Sequence, residues 1–350
     1  MKIKKSKSLL YIFSSVMVLG LSLVSFNTTK PTNTKDSTQV DSTPTPIGVT
    51  HTPTLTNTPT PTPTLTPTPI PTPSATQLNT LIEIQPAEDD LTKQITSHLK
   101  EKYLDSNSNI KQLSNITCYY KEGVANADYI VYVCYDIKYK ESNVLIPAIE
   151  EYCLSISEDN TINILTEPFN DEVKEALFLN RRDCESVRNL YIKETIRRFM
   201  NAKLSCDEEL LSSLVTDSSY LNINDISTKT QYIERYENLQ FIIREFPETV
   251  TEADFIVYVA NDVKIVNIRT VAPGLDEYMI TLDEENYPKI FYGNTSADTD
   301  EYRTWSRSQD DLQTLLDDVL NRLADAMLQD ADLLEFIGRI QDATDSSTEE

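Results

Sequence analysis

The residues best placed to do chemistry are two carboxylate–phenol pairs at matching positions. Asp262 stands four residues after Tyr258 and Asp136 four after Tyr132, with Lys264 and Lys138 two residues beyond the aspartates. In an extended strand, positions two and four apart share a face. Each set would therefore put a carboxylate, a phenol and an ammonium on one side of a sheet. A carboxylate so placed can accept a proton, and a phenol can donate a hydrogen bond to a developing charge. Four strand residues span about 13 Å, too far for one small substrate to touch both unless the sheet bends sharply. An Asp–Lys pair two apart on a strand fits a solvated face better. No catalytic residue is therefore assigned, and Asp262, Tyr258, Asp136 and Tyr132 stand as weak candidates.

Other reactive residues are few. Pro273 and Gly274 read as turn chemistry at a strand entrance, and the loop they form is a candidate ligand contact. Tyr119, Tyr120, Tyr152, Tyr232, Tyr236 and Tyr278 are equally a stacking platform for wall sugars or peptides and ordinary half-buried strand residues. Of these, Tyr232, Tyr236 and Tyr278 join Pro273 and Gly274 as binding candidates. Trp305, the single tryptophan, sits in a polar stretch and reads as a carbohydrate-stacking residue or a cap on the last helix, with the cap preferred. The histidines are His51 and His98, and the five cysteines have no metal-ligand spacing, so neither a metal nor a cofactor is expected. Glycine is scarce, with 6 in 350 residues, and there is no glycine-rich phosphate loop.

Residues 127–158 align without a gap onto residues 253–284, an offset of 253 − 127 = 126. A period of that length is a small domain rather than a solenoid unit, so the chain contains a tandem duplication. Within it, 128–139 alternates cleanly as a strand and 254–265 repeats the pattern. Further strands are expected at 116–120 and 151–157. Helical periodicity marks 89–104, 183–202, 207–215, 312–328 and 330–340. A long and then a short helix follow each sheet, which points to an α+β arrangement rather than βαβ units. Cys134 and Cys153 are replaced by Ala260 and Met279 in the second copy, so they read as buried apolar fillers rather than a disulfide.

The N-terminus carries Lys2, Lys4, Lys5 and Lys7 ahead of an uncharged apolar run from Leu9 to Phe26. That is an export signal over residues 1–28, with cleavage and retention as an anchor both open. Residues 29–80 are rich in Thr and Pro, with TPTPTPTLTPTPIPTP from Thr58 to Pro73. Proline on this scale excludes helix and sheet, leaving a disordered, extended stalk with a reach of order 100 Å. The net charge is −24 with a pI near 4.5, which makes nucleic acid and anionic lipid poor partners. A membrane is met only through the N-terminal segment.

The amphipathic helix pair from Tyr191 to Val215, the segment YIERYEN from Tyr232, and DFIVYVANDVKIVNIRTVAPGLDEY from Asp254 resemble nuclear transport factor 2-like domains. These are also called cystatin-like α+β rolls, and occur in exported surface proteins of clostridial-type Firmicutes. The resemblance implies two tandem rolls, each a curved antiparallel sheet plus helices, at 81–180 (with a short helical head) and 181–341. An acidic, disordered tail follows at 342–350. It also implies a conical pocket between helices and sheet. In the ketosteroid isomerase-type enzymes of this fold, a carboxylate base and a tyrosine would act on an enolate, roles Asp262 and Tyr258 would fill. The preferred expectation is a non-enzymatic extracellular binding or spacer module with an unknown envelope partner. A pocket enzyme or small-molecule binder in the second domain and a surface assembly module, acting as a homodimer, are the alternatives.

Overall fold

The computed structural model describes residues 82–84, 90–105, 108–159 and 161–347. The expected export signal and the whole of the Thr/Pro stalk lie outside the described residues. The chain is α+β with two antiparallel sheets. The first comprises β1 (Ile82–Ile84), β2 (Ile110–Glu122), β3 (Tyr129–Tyr139), β4 (Leu145–Ile156) and β5 (Ile162–Leu165), in that order across the sheet. The second comprises β6 (Ile233–Glu245), β7 (Phe255–Ile265), β8 (Ala272–Leu282) and β9 (Pro288–Ile290). Helix α1 (Asp90–Tyr103) precedes the first sheet. Helices α2 (Asp171–Asp183), α3 (Glu185–Ser205), α4 (Glu208–Leu214) and α5 (Ile223–Thr230) lie between the sheets in sequence, and α6 (Ala297–Arg307), α7 (Asp310–Gln329) and α8 (Ala331–Ser347) follow the second.

Alternation along β3 and β7 sends side chains to two different helical layers. Val131, Val133 and Tyr135 meet Ile95 and Leu99 of α1, while Ile130 and Tyr132 meet Val173, Leu177, Val187 and Tyr191 of α2 and α3. In the second sheet Phe255, Val257 and Val259 pack on Ile192, Ile196 and Phe199 of α3, and Ile256 and Tyr258 pack toward Leu312 of α7. Both central strands are therefore buried on both faces, as their apolar beginnings imply. Helix α3 packs on both sheets, and the boundary expected at 180/181 falls inside α2. Both sheets belong to one compact unit.

The repeat extends well past the aligned strands. Asn170 caps α2 by accepting from Val173 N at 2.8 Å, and Ser296, 126 residues on, caps α6 by accepting from Thr299 N at 3.3 Å. Helix α7 then stands to the second sheet as α3 stands to the first. Their sheet-facing residues correspond, Val187 to Leu312 and Glu194 to Val319. Their opposite faces do not correspond. Where α3 offers Ile192, Ile196 and Met200 to the next sheet, α7 carries Asp317, Asn321 and Asp325, all exposed. The face of α7 away from its sheet is therefore polar where that of α3 is apolar.

Several expectations shift in detail. Helices α2, α5 and α6 carry no clean apolar stripe and are absent from the periodicity reading. Their caps, at Asn170, Asn222 and Ser296, were the available signal. Helix α8 runs to Ser347, into the stretch expected to be a tail. Pro273 and Gly274 lie within β8, paired with Asp262 and Asn261, and among the described residues no glycine has a positive φ, so the turn reading is corrected to strand. Trp305 belongs to the last turn of α6, with its ring 5.0 Å from Tyr302, rather than capping the helices that follow. All five cysteines are free, and Cys134 and Cys153 are buried in the sheet as expected. Among the described residues, no helix is long and apolar enough to cross a membrane.

Candidate functional site

Asp136 and Asp262 are each held by the same two-sided clamp. A bulge interrupts β2 after Ser114 and β6 after Glu237, and each bulge contains an asparagine with φ of 53°, Asn115 and Asn238. Asparagine tolerates this left-handed backbone better than most residues. The bend aims its amide at the neighbouring strand, so Asn115 Nδ2 donates to Asp136 Oδ2 at 2.6 Å and Asn238 Nδ2 to Asp262 Oδ2 at 2.8 Å. From the other side comes an arginine of the next helical layer. Arg197 of α3 bonds Asp136 Oδ1 at 3.1 Å, and Arg322 of α7 bonds Asp262 Oδ1. Both aspartates are 3% exposed. Each is a joint between a sheet and the helix layer that follows it.

A second joint repeats beside the first. Arg181 of α2 grips Glu151 with two bonds from Nη1, at 2.8 and 3.1 Å. In the second copy, Glu277 accepts from Arg307 Nε at 2.7 Å and from Arg303 Nε at 2.8 Å. Burial pushes the Glu151 carboxyl up, against the pull of Arg181 and a bond from Tyr191. Tyr132 lies in this layer and accepts a buried bond of 3.0 Å from Asn180. Tyr258 lines a crevice with Glu277, Arg307 and Leu312 of about 20 Å³, room for a water rather than a substrate. Burial, with Glu277 nearby, pushes the Tyr258 hydroxyl up to about 12, so at neutral pH it is a hydrogen-bond donor. Asp262 and Tyr258 thus belong to different joints.

The opposite face of each sheet carries a polar cluster that the sequence reading did not assemble. In the first copy, Glu150 accepts from Tyr135 at 2.6 Å, Tyr152 at 2.5 Å, Lys102 at 2.9 Å and from Tyr103. Burial would raise this carboxyl, but the four donors together hold it below the usual range. The same strand positions 126 residues later are Asn261, Asp276 and Tyr278, and α3 adds Lys203. Here the cluster is sealed. Lys203 and Tyr278 are 1% exposed, and Asn261 Nδ2 donates to Asp276 Oδ2 at 2.7 Å. Burial pushes Asp276 up to about 6, against Lys203 and the Asn261 bond, and pushes the Lys203 amine down despite Asp276. The Lys203 ammonium lies 5.2 Å from the Phe199 ring centre and 5.7 Å from that of Tyr278. Lys203 Nζ, Asp276 Oδ1, Asn261 Oδ1 and the hydroxyls of Tyr236 and Tyr278 make no hydrogen bond to another protein group. The signal for this cluster was the adjacent acid pair, Glu150–Glu151 and Asp276–Glu277. Alternation sends one acid to each face of the sheet.

The binding candidates therefore separate. Tyr236 and Tyr278 turn into the sealed cluster, while Tyr232 is 52% exposed beside Phe336, with ring centres 5.8 Å apart. Pro273 and Gly274 are ladder residues. Among the described residues, no group of three His, Cys, Asp or Glu side chains is arranged to hold a metal ion. Searches against protein-family models, curated proteins and solved structures find no match to this chain.

Proposed function

We propose that this chain is an exported, non-enzymatic binding or spacer module of the bacterial cell envelope. In this reading two tandem roll domains of the nuclear transport factor 2-like kind are carried on a Thr/Pro stalk. The observation that carries it is the use made of Asp136 and Asp262. The best acid–base candidates are each engaged by an arginine and an asparagine that join a sheet to the next helical layer. The leader and stalk sequences support export and reach, and the charge of −24 disfavours nucleic acid. A second reading, a small-molecule site in the second roll, draws on the buried cluster of Asp276, Lys203, Tyr236 and Tyr278. In that reading the base would be Asp276 rather than Asp262.

The test is co-sedimentation of the full-length chain with isolated bacterial envelope fragments. Wild type and Asp262→Asn are expected to pellet to the same extent. A Tyr232→Ala/Trp305→Ala variant, which removes two half-exposed aromatic rings, is expected to pellet several-fold less. Loss of binding in Asp262→Asn alone, or no pelleting by any form, would rule the reading out.

A further inference from the structure

The two sheets differ at the outer edge of their first long strand. In the first, the outer edge of β2 is covered by β1, the first described segment after the stalk, with Ile82 opposite Tyr120, Glu83 opposite Tyr119 and Ile84 opposite Cys118. The equivalent residues of β6 are fixed by the bulge asparagines. Cys118 lies three residues after Asn115, and Phe241 lies three after Asn238. The strand partners agree, since Cys118 pairs with Val133 and Phe241 with Val259, 126 residues on. Among the described residues, no strand pairs with the outer edge of β6.

That edge is suited to accept a strand. Phe246 N donates to Asp254 O at the hairpin end. The alternation of an antiparallel ladder then turns the backbone groups of Phe241 and Ile243 away from β7, as it does those of Glu245, whose carbonyl accepts from the Tyr302 hydroxyl at 2.8 Å. The same alternation, counted from Gly123 N to Asp128 O, turns out the backbone of Cys118 and Tyr120, where β1 pairs. Edge strands are commonly protected by charge, proline or brevity. β6 is 13 residues long, and from Asn238 to Ile243 it has neither charge nor proline.

We infer that the β6 edge at Phe241–Ile243 binds the Ile82–Ile84 strand of a second copy of this chain, adding a fifth strand to the second sheet. The occupant follows from the first sheet, whose equivalent edge already pairs with this segment. Binding there takes the segment from the β2 edge of its own chain, so one sheet gains the strand that the other gives up.

The test uses a fluorescent peptide of residues 79–87 added to the full-length chain, read by anisotropy. Saturable binding is expected. Ile243→Pro, which removes an outward donor without touching the β7 ladder, should weaken it by about tenfold or more, while Tyr120→Pro should not. Should Ile243→Pro misfold, amide exchange in the wild-type chain decides, and peptide should slow exchange at Phe241 and Ile243. Sedimentation of the peptide-free chain should show a concentration-dependent dimer that is lost when residues 82–84 are deleted. No peptide binding, binding lost in Tyr120→Pro instead, unchanged exchange at Phe241 and Ile243, or a dimer that survives the deletion would each overturn the proposal.

Discussion

Arg197→Ala is expected to destabilise the fold by about 3–5 kcal/mol, the cost of stranding buried charge. Arg197 bonds Glu194 at 2.7 and 2.9 Å and Asp136 at 3.1 Å, so one guanidinium balances two carboxylates. Asp136 would keep only its Asn115 bond. Glu194, whose carboxyl is already pushed up by burial, would lose the arginine that offsets this. Because α3 packs on both sheets, the loss should be felt by both. Urea unfolding should show a single transition moved to lower denaturant. A shift confined to part of the signal, or one below about 1 kcal/mol, would mean that the pair is no more than an ordinary surface ion pair.

The second large effect is a pH dependence centred on Asp276. Its carboxyl is pushed up to about 6 from an ordinary 3.8. Between those values the folded state holds a proton that the unfolded state has released. The stabilisation from this group is therefore complete below pH 3.8 and is lost as pH rises through 6. A shift of this size corresponds to about 3 kcal/mol. Lys203 acts in the opposite sense. Its amine is depressed, so its cost to the fold lessens as pH climbs toward 10.5. Glu150, Glu151 and Glu194 also titrate, so the useful quantity is a difference. The unfolding free energy of wild type minus that of Asp276→Asn should fall by about 2 kcal/mol between pH 4 and pH 7. A flat difference would mean that Asp276 is solvated rather than sealed.

Much of this architecture was readable from residues. The gap-free repeat located both central strands, because alternating apolar residues at period two survive duplication. Replacement of Cys134 and Cys153 by Ala260 and Met279 marked them as packing residues. The candidate site was read only in part. Strand spacing put Asp262 and Tyr258 on one face correctly. What that face meets is decided by Arg322, 60 residues away on α7, and no local pattern announces such a partner. The solvated-face reading of Asp262 fails for the same reason, since a helix of the next layer covers it. Glu150 and Asp276 were passed over because each sits beside an acid on the other face, and the pair reads as one acidic patch until pleating separates it. Helix α6 was hidden by its polar composition. It is held to the sheet by the Arg303 and Arg307 bonds to Glu277 more than by an apolar stripe.

Asp262 holds its sheet to the helix layer beyond it through Arg322. The most direct measurement is a double-mutant cycle on Asp262 and Arg322 by urea unfolding, using Asp262→Asn, Arg322→Ala and the double variant. Each single substitution is expected to destabilise by about 1–3 kcal/mol, and the double to cost clearly less than their sum, a coupling of about 1 kcal/mol or more. Functional carboxylates are commonly kept at the expense of stability. Asp262→Asn raising stability, with no coupling to Arg322, would show that Asp262 is no such joint and return it to the residues kept for chemistry.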